Sequence, residues 1–293
     1  MGIFIQVPGL DDFVTEVGAV AERGFASAWT PQIFGFDALT ALALAGREVP
    51  GIELGTAVVP TYPRHPMALA AQALTTQAAC HGRLTLGIGL SHQVVIESMF
   101  GYSFDHPARH MKEYLSALLP LLREGKVAFE GETVKAMGQL DIPGADPVPV
   151  LVAALGPVML GLAGGLAEGT ATWMTGPKTL GAHIVPTITA AAEAAGRPAP
   201  RVTAALPVSV TDDPAAARQK AAAVFAVYDQ LPSYKAMLDR EGAGGPADVA
   251  IVGDESTVRR EVEALGELGV TEFVAVPFHE RSRTVDVLAT LLP

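Results

Sequence analysis

A single cysteine in 293 residues rules out an internal disulfide. Cys80 is therefore a lone thiol, which suits a reducing compartment. Cations are scarce too. Twenty lysines and arginines against 31 acidic residues give a net charge of −11 and a pI near 5.1. That balance excludes the basic face that nucleic acid or an anionic membrane surface requires. Charged residues make up only 17% of the chain and aromatics 6%. Even so, no unbroken apolar run reaches the roughly 18 residues that would span a bilayer. The opening MGIFIQVPGLDDF has no positive region ahead of an apolar stretch, so no signal peptide is expected there. Neither a G-x-S-x-G elbow nor a Walker loop occurs. The expectation is a cytoplasmic protein that works on small molecules.

What the chain has is apolar residues, at 49%, and a mean hydropathy of +0.33. Its length allows one large α/β domain or two small ones. A pattern recurs in AVAERGFASAWT, ACHGRLTLGIG, LAEGTATWMT and LGELGVTEFVAV: a helical segment, a glycine, then a short apolar run. The glycine suits a left-handed helix C-cap, and the run suits a strand covered on both faces. Eight such strands are predicted: Gly2–Val7, Phe25–Trp29, Ile52–Val58, Leu84–Gly89, Val148–Ala153, Thr170–Met174, Val202–Val210 and Glu272–Val276. Alternating with helices, they predict a (β/α)8 TIM barrel, one domain over residues 1–293. Insertions interrupt the alternation near 125–147, as a hairpin or irregular segment, and near 229–253, with a short helix around Ser233–Glu241. Met111, Leu115, Leu118 and Leu122 share one helix face, which Pro120 should kink. Val258, Val262, Leu265 and Leu268 share another, with Asp254 or Ser256 available as its cap.

Four segments carry possible chemistry. RLTLGIGLSHQ falls short of a dinucleotide fingerprint, because His92 stands where a third glycine is needed and no acidic residue ends a following strand. As a barrel strand it puts Gly89 at the C-terminal end and Ser91–His92 in the loop above, where barrel enzymes carry their sites. His92 then either meets a ligand or simply starts the next helix. In PVPVLVAALGPVMLGLAGG, Gly156 ends the run and Pro157 opens a helix. The amides of Gly156, Val158 and Met159 would form an anion site, unless this is an ordinary strand–helix junction. Gly164–Gly165 further along would let that helix pack closely. GIELGTAVVPTYPRHPMALAAQ offers Thr61, Arg64 and His65, the cation for a phosphate or carboxylate and the histidine as ligand or buried donor. TWMTGPKT, Thr172–Thr179, adds hydroxyls, Gly176 and Lys178. His106 and His110 are four apart on a helix but lack a third ligand at metal-site spacing, so no metal site is expected. Cys80 is expected inert and buried, and Arg83 a structural ion-pair partner with Glu113 of similar kind.

With GTAVVPTYPRHPMALAAQALT, GRLTLGIGLSHQ, PVLVAALGPVMLGLAG and GTATWMTGP in this order, the chain resembles the luciferase-like oxidoreductase superfamily. More narrowly, it is similar to the actinobacterial branch that uses the deazaflavin coenzyme F420. The resemblance implies a barrel with insertions that assembles as a homodimer. It implies a bulge, often with a non-proline cis peptide, around Thr56–Ala57–Val58 behind the deazaflavin ring. The cofactor phosphate would sit at Ala154, Leu155, Gly156, Pro157 and Met159. Gly89, Leu90, Ser91 and His92 would face the ring, with Thr175 and Gly176 beside it. Sugar-phosphate-oxidising relatives carry an acidic residue and a histidine after the second strand. Here that place reads WTPQIFG, with Gln32 and Ile33. The missing proton acceptor argues against alcohol oxidation and for reduction of an activated C=C or C=N bond. His92 or water would supply the proton, and Gln32 would bond a ring edge or a substrate carbonyl. Arg64, Arg109 or Lys178 could receive the anionic F420 tail. Trp29, Phe34, Trp173 and Met174 either line an apolar pocket or belong to the core. Two alternatives stay open: FMN with oxygen, as in a monooxygenase, and a non-catalytic cofactor-binding barrel.

Overall fold

Each predicted apolar run becomes a strand because flanking helices cover it on one side and the barrel interior on the other. The computed structural model describes residues 1–292. Its barrel strands are β1 (Gly2–Phe4), β2 (Ser27–Thr30), β3 (Glu53–Thr56), β4 (Leu84–Gly89), β5 (Val150–Val152), β6 (Gly169–Trp173), β7 (Arg201–Val210) and β8 (Glu272–Pro277). They pair in parallel in that order, and β8 closes onto β1 at Gly2↔Val274. The architecture is a (β/α)8 barrel. Gly269, at φ +90°, turns the chain from a helix into β8. Gly169 serves a different end, since a Cβ there would collide with the Arg201 backbone on β7. Asp254 caps the helix Glu255–Glu267 by accepting from Thr257 N at 2.8 Å, and Ser256 donates to that same carboxylate.

Two strand ends need correction. The first strand stops at Phe4, and the third stops at Thr56, well short of Val58. Helix Pro107–Glu124 runs on through Pro120 to a left-handed cap at Gly125. The first insertion is an antiparallel hairpin, Lys126–Glu130 with Lys135–Gln139. The second holds a helix at Pro232–Glu241, and it ends in a strand the periodicity did not mark. That strand, Ile251–Gly253, pairs with Val208–Val210, where β7 outruns its neighbour β6.

Two apolar clusters form. The larger lies between strands and helices. The smaller one fills the barrel with Trp29, Leu151 and Val274, joined by half-buried Phe4, Ala57, Ala171 and Ala205. Trp29 is fully buried, and a Cβ at Gly55 would collide with its indole. Its Nε1 donates to Ser27 Oγ at 2.9 Å. Beneath it Arg201 bonds both Glu53 and Glu272 at 2.9 Å. Trp29 and that ion-pair layer plug one end. Half-buried Ala57, Ala171 and Ala205 pack on this cluster, and the C-terminal ends of the strands beyond are the face on which barrel sites are built.

Candidate functional site

The end of β3 departs from regular pairing. Gly55 sits opposite Thr85, and the next pairing, in the short strand Val59–Pro60, puts Val59 opposite Ile88. Three residues, Thr56–Val58, therefore face two, Leu86 and Gly87, which defines a bulge. The Ala57–Val58 peptide within it is cis. Thr56 is buried, and its Oγ1 donates to Gly87 O at 2.8 Å while accepting from Gly87 N at 2.9 Å. The hydroxyl thus replaces the ladder bonds that the bulge removes. A Cβ at Gly87 would collide with Thr56 O, and one at Gly89 would stand 2.8 Å from Val58 Cγ2. The two glycines of LGIG admit the bulge. Thr56 and Gly89 are its struts, buried beneath, and Ala57 and Val58 are the half-buried residues that face the mouth.

Above β4, Ser91 takes a left-handed conformation at φ +62° and His92 starts the helix Gln93–Ser98. The His92 ring makes no side-chain hydrogen bond as that helix's cap and lies 5.6 Å from the Tyr234 ring. Burial holds its pKa below the ordinary histidine value, so the imidazole is neutral at neutral pH. Tyr234 belongs to the second insertion, which reaches across from β7 with Tyr228 and Phe225 to roof Trp173. Trp173 Nε1 is buried, makes no hydrogen bond of good geometry among the described residues, and has the Tyr228 hydroxyl beside it.

Next along the barrel, β5 leads into the helix Pro157–Leu166. Leu160 is the first residue to donate within it, to Gly156 O at 2.9 Å. The amides of Gly156, Val158 and Met159 are left without acceptors among the described residues. The carbonyls just before are held back: Thr170 Oγ1 reaches Ala154 O at 3.3 Å, and His183 Nε2 donates to Leu155 O at 2.8 Å. With its carbonyls tethered and its amides outward, this helix start is built to receive an anion. Bulge, His92 loop and anion cradle top three adjacent strands, β3, β4 and β5.

The family model of the luciferase-like monooxygenases matches residues 4–272. The chain belongs to that family. A 5,10-methylenetetrahydromethanopterin reductase of Methanolobus tindarius is 30% identical over 79% of this chain and 71% of its own. Among solved structures, the coenzyme F420-dependent tetrahydromethanopterin reductase of Methanopyrus kandleri superposes with a TM-score of 0.84 at 23% identity, covering 100% of this chain and 97% of that one. The FMN complex of a Pseudomonas putida type II Baeyer–Villiger monooxygenase component does so at 0.78 and 16%, covering 99% and 96%.

Other candidate residues of this luciferase-like chain are committed elsewhere. Gln32 Oε1 accepts from Ala38 N at 2.8 Å and from Arg64 at 3.3 Å, so only its Nε2 faces outward uncommitted. Arg64 pairs with Asp37 at 2.5 Å. Burial works against the Asp37 carboxylate, yet bonds from Thr40 and Arg64 hold it below its ordinary pKa. Arg109 pairs with Glu132, and Lys178 Nζ lies 3.4 Å from Glu241 O. The three expected tail receptors are therefore engaged. Thr175 and Gly176 are buried. Thr175 Oγ1 bonds Trp173 O, and the Glu241 carboxylate fills the helix start after Gly176, accepting from Lys178 N at 3.1 Å and Thr179 N at 2.7 Å. His65 caps its helix through Met67 N and bonds Lys135 O at 2.9 Å.

His110 is no ligand pair with His106. It stacks on Tyr62 at 3.9 Å and bonds Thr61 Oγ1 at 3.1 Å. Arg83 meets no carboxylate, donating instead to the carbonyls of Gly46, Val49 and Ile52. Glu113 accepts from the amides of Glu132, Thr133 and Val134 in the hairpin turn. Cys80 is buried against Leu42 O, and burial raises its thiol to about 11. Trp29 and Met174 are fully buried core, Phe34 is 66% exposed, and Trp173 alone of the four stands at the mouth. Nothing in the sequence marked His183 or Glu241, and only the spacing of LGIG hinted at Gly87.

Proposed function

We propose that this chain is an F420-dependent oxidoreductase that passes hydride from the reduced deazaflavin to an activated C=C or C=N acceptor. The observation that carries this reading is the open helix start at Gly156–Met159, two strands from a bulge whose Ala57–Val58 face looks into the mouth. A phosphate handle and a flat ring fit that spacing of parts. The small side chains of Ala57, Ala171 and Ala205 over the barrel interior leave room for a planar ring. When bound, the deazaflavin supplies the hydride. The chain's own contribution is orientation, exclusion of water by the aromatic roof, and a proton held at His92 or delivered by water. Gln32 is left one role by its committed carbonyl: its Nε2 can donate to a carbonyl on ring or substrate.

A homodimer is part of the same reading. It is supported by exposed Val94, Met99, Phe100 and Tyr102, grouped on one segment after His92. Cytoplasmic residence is likewise proposed. No helix among the described residues is long and apolar enough to cross a membrane.

FMN used with oxygen is the second reading. One observation favours it: Arg64, Arg109 and Lys178 are engaged, so none waits for the acidic tail that distinguishes F420. Parallel fluorescence titrations of the purified protein with F420 and with FMN decide between them. Micromolar F420 binding with weak FMN binding is expected. Preference for FMN moves the assignment to a monooxygenase, and binding of neither overturns the cofactor reading.

A further inference from the structure

A cleft of ≈ 410 Å³ opens between the segments that follow β1 and β2. Val7, Pro31, Ile33 and Phe36 form its apolar walls, with Gln6 and Thr30 as polar members. It shares a wall with the bulge, because Thr30 O accepts from Ala57 N at 2.9 Å. No ionisable side chain lines it. Arg64, which bonds Gln32 beside this wall, is tied to Asp37 at 2.5 Å. One polar side chain stands free there. The exposed Gln6 amide makes no side-chain hydrogen bond among the described residues, whereas Thr30 Oγ1, also without a partner, is buried beneath the surface of the cleft. Gly35, also on the lining, has open space where a Cβ would be.

An anion entering such a cleft would lose its hydration and gain no counter-charge. A neutral, mostly apolar molecule gains by burial, and a single carbonyl on it can accept from the Gln6 amide at the rim. We infer that this cleft is the acceptor pocket, and that the acceptor is an uncharged, largely apolar molecule bearing one carbonyl-type group. Sugar phosphates and carboxylates are excluded by the same lining. The word "acceptor" rests on the proposed hydride transfer. The chemical class of the ligand rests on the cleft alone.

Binding of three probes by isothermal titration tests this: benzylideneacetone, cinnamate of matched size and shape, and 1-phenyl-1-butene without the carbonyl. Benzylideneacetone is expected to bind at least about tenfold more tightly than cinnamate. Gly35→Leu, which fills the cleft from an unobstructed position, is expected to weaken the ketone about tenfold while the fold melts normally. Gln6→Leu should narrow the preference for ketone over hydrocarbon about threefold to tenfold. Equal or tighter binding of cinnamate overturns the inference. So does ketone affinity that ignores Gly35→Leu, and so does an unchanged preference in Gln6→Leu. F420 titrated separately keeps the two claims apart. F420 binding without ketone binding sinks only the cleft, whereas ketone binding in the cleft without F420 binding sinks only the cofactor reading.

Discussion

Thr56 and His92 illustrate how single side chains set this site. Thr56 Oγ1 satisfies both the amide and the carbonyl of Gly87 beside a bulge. Thr56→Val keeps the shape but orphans both groups, and is expected to cost about 2–3 kcal/mol in denaturant unfolding. Thr56→Ser retains the hydroxyl and should recover most of that. For His92 the prediction concerns pH. Burial depresses its pKa below the ordinary 6.5, so the proton-bearing form grows only as pH falls through that lower value. If His92 supplies the proton, the rate of acceptor reduction rises toward acid, below about pH 6.5. His92→Gln should flatten that limb and leave F420 affinity nearly unchanged. A retained acidic limb in the variant would assign the proton to water.

At the scale of elements, the helix Pro157–Leu166 and the one beginning at Pro177 start alike and end up differently. Glu241 occupies the second start, and no side chain among the described residues caps the first. Val158 is 64% exposed in the first turn of the open one. Val158→Glu therefore separates stability from binding. The carboxylate complements the helix N-terminus and is expected to hold or raise stability by up to about 0.5 kcal/mol. The same charge competes with a phosphate, so the dissociation constant for F420 should rise about tenfold or more, more steeply at low salt. A thermal melt and a fluorescence titration on one preparation read both signs. If stability and affinity fall together, the helix start is structural and the phosphate binds elsewhere.

The whole molecule responds to acid through groups buried by its closure. His110 is 8% exposed between the Tyr62 ring and Thr61. Burial lowers its pKa to about 4, partly opposed by Glu113. A base whose folded pKa is depressed is protonated first in the unfolded chain. Stability is therefore complete above about pH 6.5 and declines as pH falls toward 4, by at most about 3 kcal/mol. His110→Gln should melt lower at pH 7.5, having lost the stack, but show a smaller decline between pH 6.5 and 4.5. Glu113 does not confound this window. Burial raises its pKa, but bonds from Thr133, Glu132 and Val134 outweigh that and bring it to about 2, so it stays ionised throughout.

Much of this protein was already legible in its sequence, because the determinants are local. Apolar runs of strand length, helical periodicity and glycine at helix ends are properties of neighbouring residues, and they determined eight strands, their order and a barrel. Gly156–Pro157 likewise marked a helix start with free amides, since proline's missing N–H and fixed φ act at that very position. Partners were another matter. Arg64 had several carboxylates it could have met, and only closure of the barrel put Asp37 beside it. Arg83 found carbonyls where an ion pair was expected, and Glu241 reached back 62 residues to fill the second helix start. The bulge lies equally outside local reach, because an extra residue exists only relative to the strand it is paired with. The sequence alone thus determined which elements form and in what order. The tertiary structure decided which polar groups are spent on holding the barrel and which remain free for a ligand, because those contacts join residues that only chain closure makes neighbours.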